Sequence, residues 1–416
     1  MNKVLVIGGG GREHAIVHAL SLSSQVDKIY AAPGNAGIAH MAQCVHLKDT
    51  QVDELLEFAK KEEITLTVVG PEASLALGIV DKFTAVGLTI FGPTQAATRI
   101  ESSKEFAKEL MKKYNVPTAD YQVFDDFESA NQYIHNHTLP IVLKYDGLAA
   151  GKGVVVAETM EQAELALEDM LLDKKFGKGR VVIEEFLTGP EFSFMCFVSD
   201  ENVYPMVVAQ DHKRAYDGDC GPNTGGMGAY SPLPFISQND IDWSLENIMK
   251  PMAKALVAEG TPFRGVLYGG LMKTNNGIKV IEFNARFGDP ETEVVLPRLK
   301  SEIFPIFMNI AKGIPCDEIV WDKRAAIGIV LASKGYPGNY EKGFPISGIG
   351  AVNGQVFHMG TAVKDGKIIT NGGRVLFVTI MGDDLAEAKQ KADAEVAKIK
   401  CDNLFHRTDI GWQAIK

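Results

Sequence analysis

The first hundred residues alternate short apolar runs that end in glycine or proline with helix-patterned stretches, and this rhythm constrains the chain more than any other feature it carries. "KVLVIG", "KIYAAPG", "LTVVGPE" and "TIFGP" read as strands, while "EHAIVHAL", "VDELLEFAKKEE" and "ALGIVDKFTAV" fall between them with helical periodicity. Strands that are apolar on both faces need cover on both faces, which parallel sheets obtain from crossover helices. Residues 1–103 are therefore expected to form a doubly wound α/β unit with a parallel sheet. Its ligands should gather beyond the carboxyl ends of the strands.

Between the first strand and the first helix lies "VIGGGGREHA", residues 6–15. A dinucleotide fingerprint G-x-G-x-x-G is met by Gly8 and Gly10, but its third position holds Glu13. The second strand ends in Ala31, Ala32, Pro33, Gly34 and Asn35, without the carboxylate that would bind a nicotinamide ribose. What remains is a glycine turn at a helix N-terminus, whose unpaired N–H groups suit a single phosphate, with Arg12 as an added charged donor. A tight bend without ligand is the other reading these residues allow.

"SSKEFAKELMKKYNVP" reads as a helix with Ser102 or Ser103 as N-cap and Pro117 at its end, and it marks a boundary. A middle segment, 104–325, opens with a small α+β unit at 118–190. Residues 326–416 start again with strands, the hairpin signal "VKDGKII" and a charged helix at 384–399, which gives a C-terminal α+β domain.

The middle segment carries the chemistry. In "VIEFNARFGDPE", residues 280–291, strand alternation puts Glu282, Asn284 and Arg286 on one face and Ile281, Phe283, Ala285 and Phe287 on the other. A carboxylate and an amide oxygen two residues apart suit a magnesium ion, which takes its remaining ligands from water and phosphate. Arg286 is placed to clamp a phosphoryl or carboxylate group. A merely solvated polar face is the alternative. Upstream, "LPIVLKYDGLAAGKGVVVAE" sets Lys144 on a strand and Gly151, Lys152 and Gly153 in a turn able to cover a triphosphate. Lys152 leads into a strand, so this is not a Walker A loop, and taken singly the string is only a turn. "VVIEEFLTGPEFSF", 181–194, offers the backbone of Glu185, Phe186 and Leu187 to an adenine edge and Glu191 to ribose hydroxyls, or is an edge strand with solvated acids.

Composition narrows the partners. The net charge of −11 excludes broad attraction to nucleic acid or an anionic membrane, so anionic ligands must be held by local arrays. The five cysteines are scattered without a C-x-x-C pair, which argues against a zinc site or a disulfide framework and suits a reducing compartment. No apolar run reaches the length of a membrane span. A cytoplasmic location is expected.

In order and spacing these segments resemble the ATP-grasp superfamily. Lys104 precedes a nucleotide-covering subdomain, Lys144 lies on its strand, a glycine loop follows at 151–153, then an acidic hinge at Glu184, Glu185, Phe186 and Leu187, then an E-x-N-x-R strand. "GGGGREHA", "APGNAG", "KYDGLAAGKGV", "DHKRAYDGDCGPNTGGMGAYSP", "GVLYGGLM" and "EFNARFGDPE" are similar to strings of the glycinamide ribonucleotide synthetases, and the likeness runs from residue 1 to "HRTDIG" at 406–411.

The resemblance implies a doubly wound N-terminal domain, an ATP-grasp core with a lid at 118–190, and a C-terminal domain. It implies ATP-dependent ligation of glycine to 5-phosphoribosylamine through glycyl phosphate, in purine biosynthesis. By that resemblance Lys144, Lys152 and Arg286 act on the transferring phosphoryl group, and Lys104, Lys144, Gly151, Lys152, Gly153, the 184–187 hinge and Glu191 bind ATP. Glu282 and Asn284 hold Mg2+ or Mn2+. Gly10, Gly11, Pro33, Gly34 and Asn35 cradle the sugar phosphate, and Glu72 meets the ribose. Asp211, Lys213, Arg214, Asn223, Thr224 and Asp289 line the place where glycine and the sugar amine meet, and "NGGRVLF" brings Arg374 toward that edge. "GVLYGGLMK", 265–273, lacks the additional metal carboxylate that many superfamily members carry there, which leaves the number of ions open. Two other readings stay in play: a ligase of the same superfamily for another carboxylate and amine, and a nicotinamide-dependent oxidoreductase.

Overall fold

A computed structural model describes residues 1–147, 153–177 and 179–415. Its N-terminal unit is a five-stranded sheet, all parallel, built from Lys3–Gly8, Lys28–Pro33, Gln43–Cys44, Leu66–Val69 and Ile90–Phe91. In space the third strand lies at one edge, followed by the second, first, fourth and fifth. The order reverses between Lys3–Gly8 and Leu66–Val69, and at such a reversal the flanking loops part to leave a crevice. All four residues of Leu66–Val69 are buried, as cover on both faces requires. The helix expected over "ALGIVDKFTAV" is broken: Glu72–Ala76 and Ile79–Ala85 meet at Gly78, whose φ of 75° is left-handed and suits glycine.

A helix that the sequence pattern did not announce, Gln95–Ser102, runs into Lys104–Lys113. Ser103 is the cap between them, its Oγ accepting the Phe106 N–H at 3.2 Å. The middle segment then makes two antiparallel sheets. One contains Tyr121–Phe124, Val181–Glu185, Ile141–Tyr145 and Val154–Ala157 in spatial order; helices Phe127–His135 and Met160–Leu167 cover it around a separate core that includes Ile134, Leu143, Leu167 and Ile183. A unit with its own core can move as a body. The other sheet contains Asn202–Pro205, Glu191–Ser199, Arg264–Thr274 and Gly277–Asn284.

The last sheet joins Ala325–Ser333, Arg374–Gly382 and Gln355–His358 to two strands from the middle segment, Gly228–Ser231 and Gln210–Asp211. Tyr230 lies opposite Ile327 in the antiparallel register. The division near residue 325 suggested by sequence is thus crossed by backbone hydrogen bonds. The segment between Gln210–Asp211 and Gly228–Ser231 is held at both ends by this sheet.

Candidate active site

Two connecting cavities of about 420 and 320 Å3 lie where the four sheets meet. Both are lined by Lys144, Glu184, Thr224, Glu282, Asn284, Arg286 and Asp289. The first adds Arg12, Glu72, Glu101, Lys104, Lys108, Gly153 and Arg374; the second adds Glu185, Phe186, Leu187, Glu191, Asp211, Lys213 and Asn223.

Gly277–Asn284 supplies the floor. Phe283, Ala285 and Phe287 are buried in the core, as alternation requires, and Glu282, Asn284 and Arg286 face the cleft. Ile281 does not follow the expected face. The register passes from Gly270 opposite Glu282 to Leu271 opposite Val280, so Ile281 is the extra residue of a bulge. It lines both cavities, and its carbonyl accepts the Lys144 ammonium at 3.0 Å.

Asn284 Oδ1 accepts from Arg286 at 3.1 Å, and Arg286 also pairs with Glu101 at 3.0 Å and more loosely with Glu72 at 3.6 Å. Glu101 accepts the Ala285 N–H at 2.8 Å as well, so the helix Gln95–Ser102 is tied to the end of the floor strand. Burial raises the Glu282 carboxyl, but the ammonium groups of Lys213, Lys144 and Lys104 outweigh it and hold the group below the usual carboxylate range. Burial raises Glu101, and Arg286 offsets only part of that.

The lysines form a cluster. Lys104 donates to the Gly147 carbonyl at 3.0 Å. Lys144 and Lys108 both pair with the buried Glu184, at 3.0 and 3.1 Å. Burial pushes Lys108 down to about 8 against the pull of Glu184. No motif singles out Lys108, although its spacing of four from Lys104 puts both on one helix face. Gly151 and Lys152 lie outside the described residues.

The glycine turn is organised by Glu13. Its carboxylate accepts the Gly10 N–H at 2.7 Å and pairs with Arg12 Nε at 2.6 Å. A methyl group at Gly70 would overlap that carboxylate, and one at Gly8 would lie 2.6 Å from its Cγ and Cδ. Glu13 therefore fills the crevice between the first and fourth strands where a dinucleotide fold keeps glycine, and it caps the helix Gly11–Ser21 itself. Gly10, expected to help cradle the sugar phosphate, has its N–H engaged by Glu13 here. Asn35 is likewise engaged: its amide donates to the Gly9 and His358 carbonyls at 2.9 and 2.7 Å. Gly10, Gly11, Pro33, Gly34 and Asn35 lie outside both cavity linings, whereas Arg12 reaches the first, anchored to the Phe287 carbonyl at 3.2 Å. Glu72 joins it there; burial raises its carboxyl, but Arg286 and Arg12 bring it below the ordinary value.

From the 211–224 segment, Asp211, Lys213, Asn223 and Thr224 reach the cleft. Lys213 pairs with Glu191 at 2.8 Å, and burial lifts Asp211 to about 7 despite Lys213. Arg214 does not reach it. Its guanidinium is exposed and donates to the Gly221 carbonyl at 2.8 Å. Arg374 crosses from the C-terminal sheet to pair with Asp289 at 2.9 Å and to donate to the Gly225 carbonyl at 2.6 Å.

Seven cations and a few buried carboxylates on one cleft suit a polyanion held against a second charged reactant. Glu282 and Asn284 add two adjacent oxygen donors, and among the described residues no three His, Cys, Asp or Glu converge into a closed metal cage. A hard divalent ion fits such a pair when phosphate and water complete its shell.

Sequence comparison agrees with this layout segment by segment. Residues 2–101, 102–292 and 326–413 match the N domain, the ATP-grasp (A) domain and the C domain of phosphoribosylglycinamide synthetase. The phosphoribosylamine–glycine ligase of Halalkalibacterium halodurans is 53% identical over 416 residues, covering 99% of this chain and 97% of that protein.

The chain belongs to the phosphoribosylglycinamide synthetase family.

The phosphoribosylamine–glycine ligase of Streptococcus pneumoniae (strain TIGR4) is 49% identical over the whole of both chains. The crystal structure of that ligase from Thermotoga maritima superposes with a TM-score of 0.87 at 33% identity, covering 98% of this chain and 100% of that one. Biotin carboxylase from Campylobacter jejuni, at 14% identity and a TM-score of 0.75, shares the fold. In the 265–273 strand, Gly270 sits directly opposite Glu282. No helix among the described residues is long and apolar enough to cross a membrane.

Proposed function

We propose that this protein joins glycine to 5-phosphoribosylamine at the expense of ATP, through glycyl phosphate, in purine biosynthesis in the cytoplasm. The observation that carries the reading is the meeting, in one cleft, of the crevice of the N-terminal sheet with the Glu282, Asn284 and Arg286 floor and the lysines beneath the small sheet. The near-complete coverage of ligases at about half identity supports the substrate pair.

A carboxylate resists attack by an amine because it is anionic and has a poor leaving group. Moving the γ-phosphoryl of ATP onto the glycine carboxylate forms an O–P bond, releases ADP and leaves an acyl phosphate. The sugar amine then attacks the acyl carbon; the C–O bond breaks, phosphate departs, and the amine loses a proton. Bringing two anions together demands neutralisation and alignment more than covalent help. Lys104, Lys144 and Arg286 face the phosphoryl path in this reading, with Lys152 completing the cover. Glu282 and Asn284 hold Mg2+ or Mn2+, which when bound neutralises phosphate charge. The hinge at 184–187 and Glu191 take the nucleoside, and Glu72 and Arg12 take the ribose and phosphate of the sugar amine. Asp211, Lys213, Asn223, Thr224 and Asp289 enclose glycine. The unit at 118–190 closes over the nucleotide and excludes water, which protects the acyl phosphate.

The test is ADP release with glycine and phosphoribosylamine made in situ. Release requires all three reactants, and replacing glycine or the sugar amine by an analogue abolishes it. Equal ADP formation without the sugar amine would overturn the assignment of the N-terminal crevice.

A further inference from the structure

Glu184 is buried with a carboxylate shared between two ammonium groups: Lys144 on Oε1 at 3.0 Å and Lys108 on Oε2 at 3.1 Å. The two lysines are not equivalent. Lys144 sits on the small sheet and lines both cavities, holding on to the Ile281 carbonyl, whereas Lys108 lines only the first. Lys108 is anchored from behind, donating to Thr118 Oγ1 at 2.7 Å; that hydroxyl donates in turn to the Val280 carbonyl at 2.8 Å.

We propose that Lys108 is a positioning residue for ATP: it keeps Glu184 neutralised so that Lys144 is free to leave that carboxylate for the nucleotide phosphates. Without Lys108, drawing Lys144 toward phosphate would strand a carboxylate that is almost fully enclosed, and a buried charge deprived of its partner is strongly disfavoured. Lys144 would then stay on Glu184, and the nucleotide would lose its hold on Lys144. The anchor lies where the small unit joins the rest. Pro117 accepts the Val280 N–H at 2.8 Å and Thr118 bridges to Val280, so Lys108 links the helix Lys104–Lys113, the floor strand and the small sheet at one point. The charge exchange and the closure of the small unit therefore share a pivot.

The inference rests on the ATP-ligase reading, and the experiment separates the two. Binding of a non-hydrolysable ATP analogue with Mg2+ is measured by calorimetry for wild type, Lys108→Met, Lys108→Arg, Thr118→Val, Glu184→Gln and the double variant Lys108→Met with Glu184→Gln. Wild type that does not bind the analogue sinks the ligase reading. With wild type binding, Lys108→Met is expected to weaken affinity by about 100-fold, and Lys108→Arg by no more than about 10-fold. Because Glu184 itself belongs to the hinge, the double variant is compared with Glu184→Gln alone, and against that background the cost of Lys108→Met should recover to no more than about 10-fold, since the charge that needs a partner is gone. A Lys108 that only stabilised the fold, or that touched the nucleotide directly, would show no such recovery, and that result overturns the proposal. So does wild-type affinity in Lys108→Met. Should that variant not fold, Thr118→Val decides: about 10-fold weaker binding supports the anchor, and unchanged binding refutes it.

Discussion

Replacing Gly70 by alanine adds one methyl group to a position with no room for it. The new carbon would overlap the Glu13 carboxylate, which cannot retreat because Gly8 closes on its other side. The carboxylate must therefore swing out and release both of its partners. The Gly10 N–H loses its cap, which costs about 1 kcal/mol. Arg12 loses a buried partner at 2.6 Å; breaking such a pair costs about 3–5 kcal/mol, toward the lower end here because Glu72 and Asp289 also face the guanidinium. The sum, about 4 kcal/mol, lowers Tm by about 5 °C if the whole chain melts as one, given an unfolding entropy of about 2 cal/mol/K per residue. The kinetic consequence is selective. A displaced Arg12 gives up a charge-assisted contact worth about 1.5–3 kcal/mol, so KM for the sugar amine should rise roughly 10- to 100-fold while KM for ATP stays put. Calorimetric melting and initial rates with each reactant varied in turn read both effects. An unchanged Tm, or an equal rise in both KM values, would refute the reasoning that Glu13 holds Arg12 for the N-terminal crevice.

Glu282→Ala and Lys144→Ala should each cut turnover by roughly 100-fold with far-ultraviolet circular dichroism intact, and near-normal rates would remove that residue from the chemistry. Burial and the neighbouring histidines depress His14 to about 3, and its Nδ1 accepts the His358 N–H at 2.8 Å, so the folded state holds it neutral. The unfolded chain then binds the extra proton below pH 6.5, and stability falls with pH; at pH 5.5 the loss is about 1.4 kcal/mol. The stability gap between wild type and His14→Asn should narrow by that amount from pH 7.5 to 5.5, and a constant gap would contradict it. Chelation by EDTA should abolish ADP release, with recovery on adding Mg2+ or Mn2+; undiminished release would take the metal role from Glu282 and Asn284. Hydrogen exchange across 118–190 should slow when an ATP analogue binds, and an unchanged pattern would argue against closure.

The four strands named from the sequence were legible because they are largely buried on both faces, and a continuous apolar run between glycines has few other uses; the edge strand Gln43–Cys44 is partly exposed and carries no such run. The floor strand was legible for the same local reason: Phe283, Ala285 and Phe287 must lie opposite Glu282, Asn284 and Arg286. What stayed hidden depends on partners remote in sequence. The bulge at Ile281 is set by its pairing with Gly270 and Leu271, and nothing in "KVIEFN" announces it. Glu101 looks like an ordinary helical acid until Arg286 is folded against it. Glu13 read as a failed fingerprint because the glycine that makes room for it, Gly70, lies three strands further along the chain. Lys108 could have been found from its spacing to Lys104; its ion pair with Glu184 could not.

The shared sheet of Gly228–Ser231 and Ala325–Ser333 has an evolutionary corollary. A module that borrows strands from its neighbour cannot be cut out and pasted elsewhere as a cassette, because excision at residue 325 would strip both halves of hydrogen-bonding edges. The trailing region must travel together with the strap it grips.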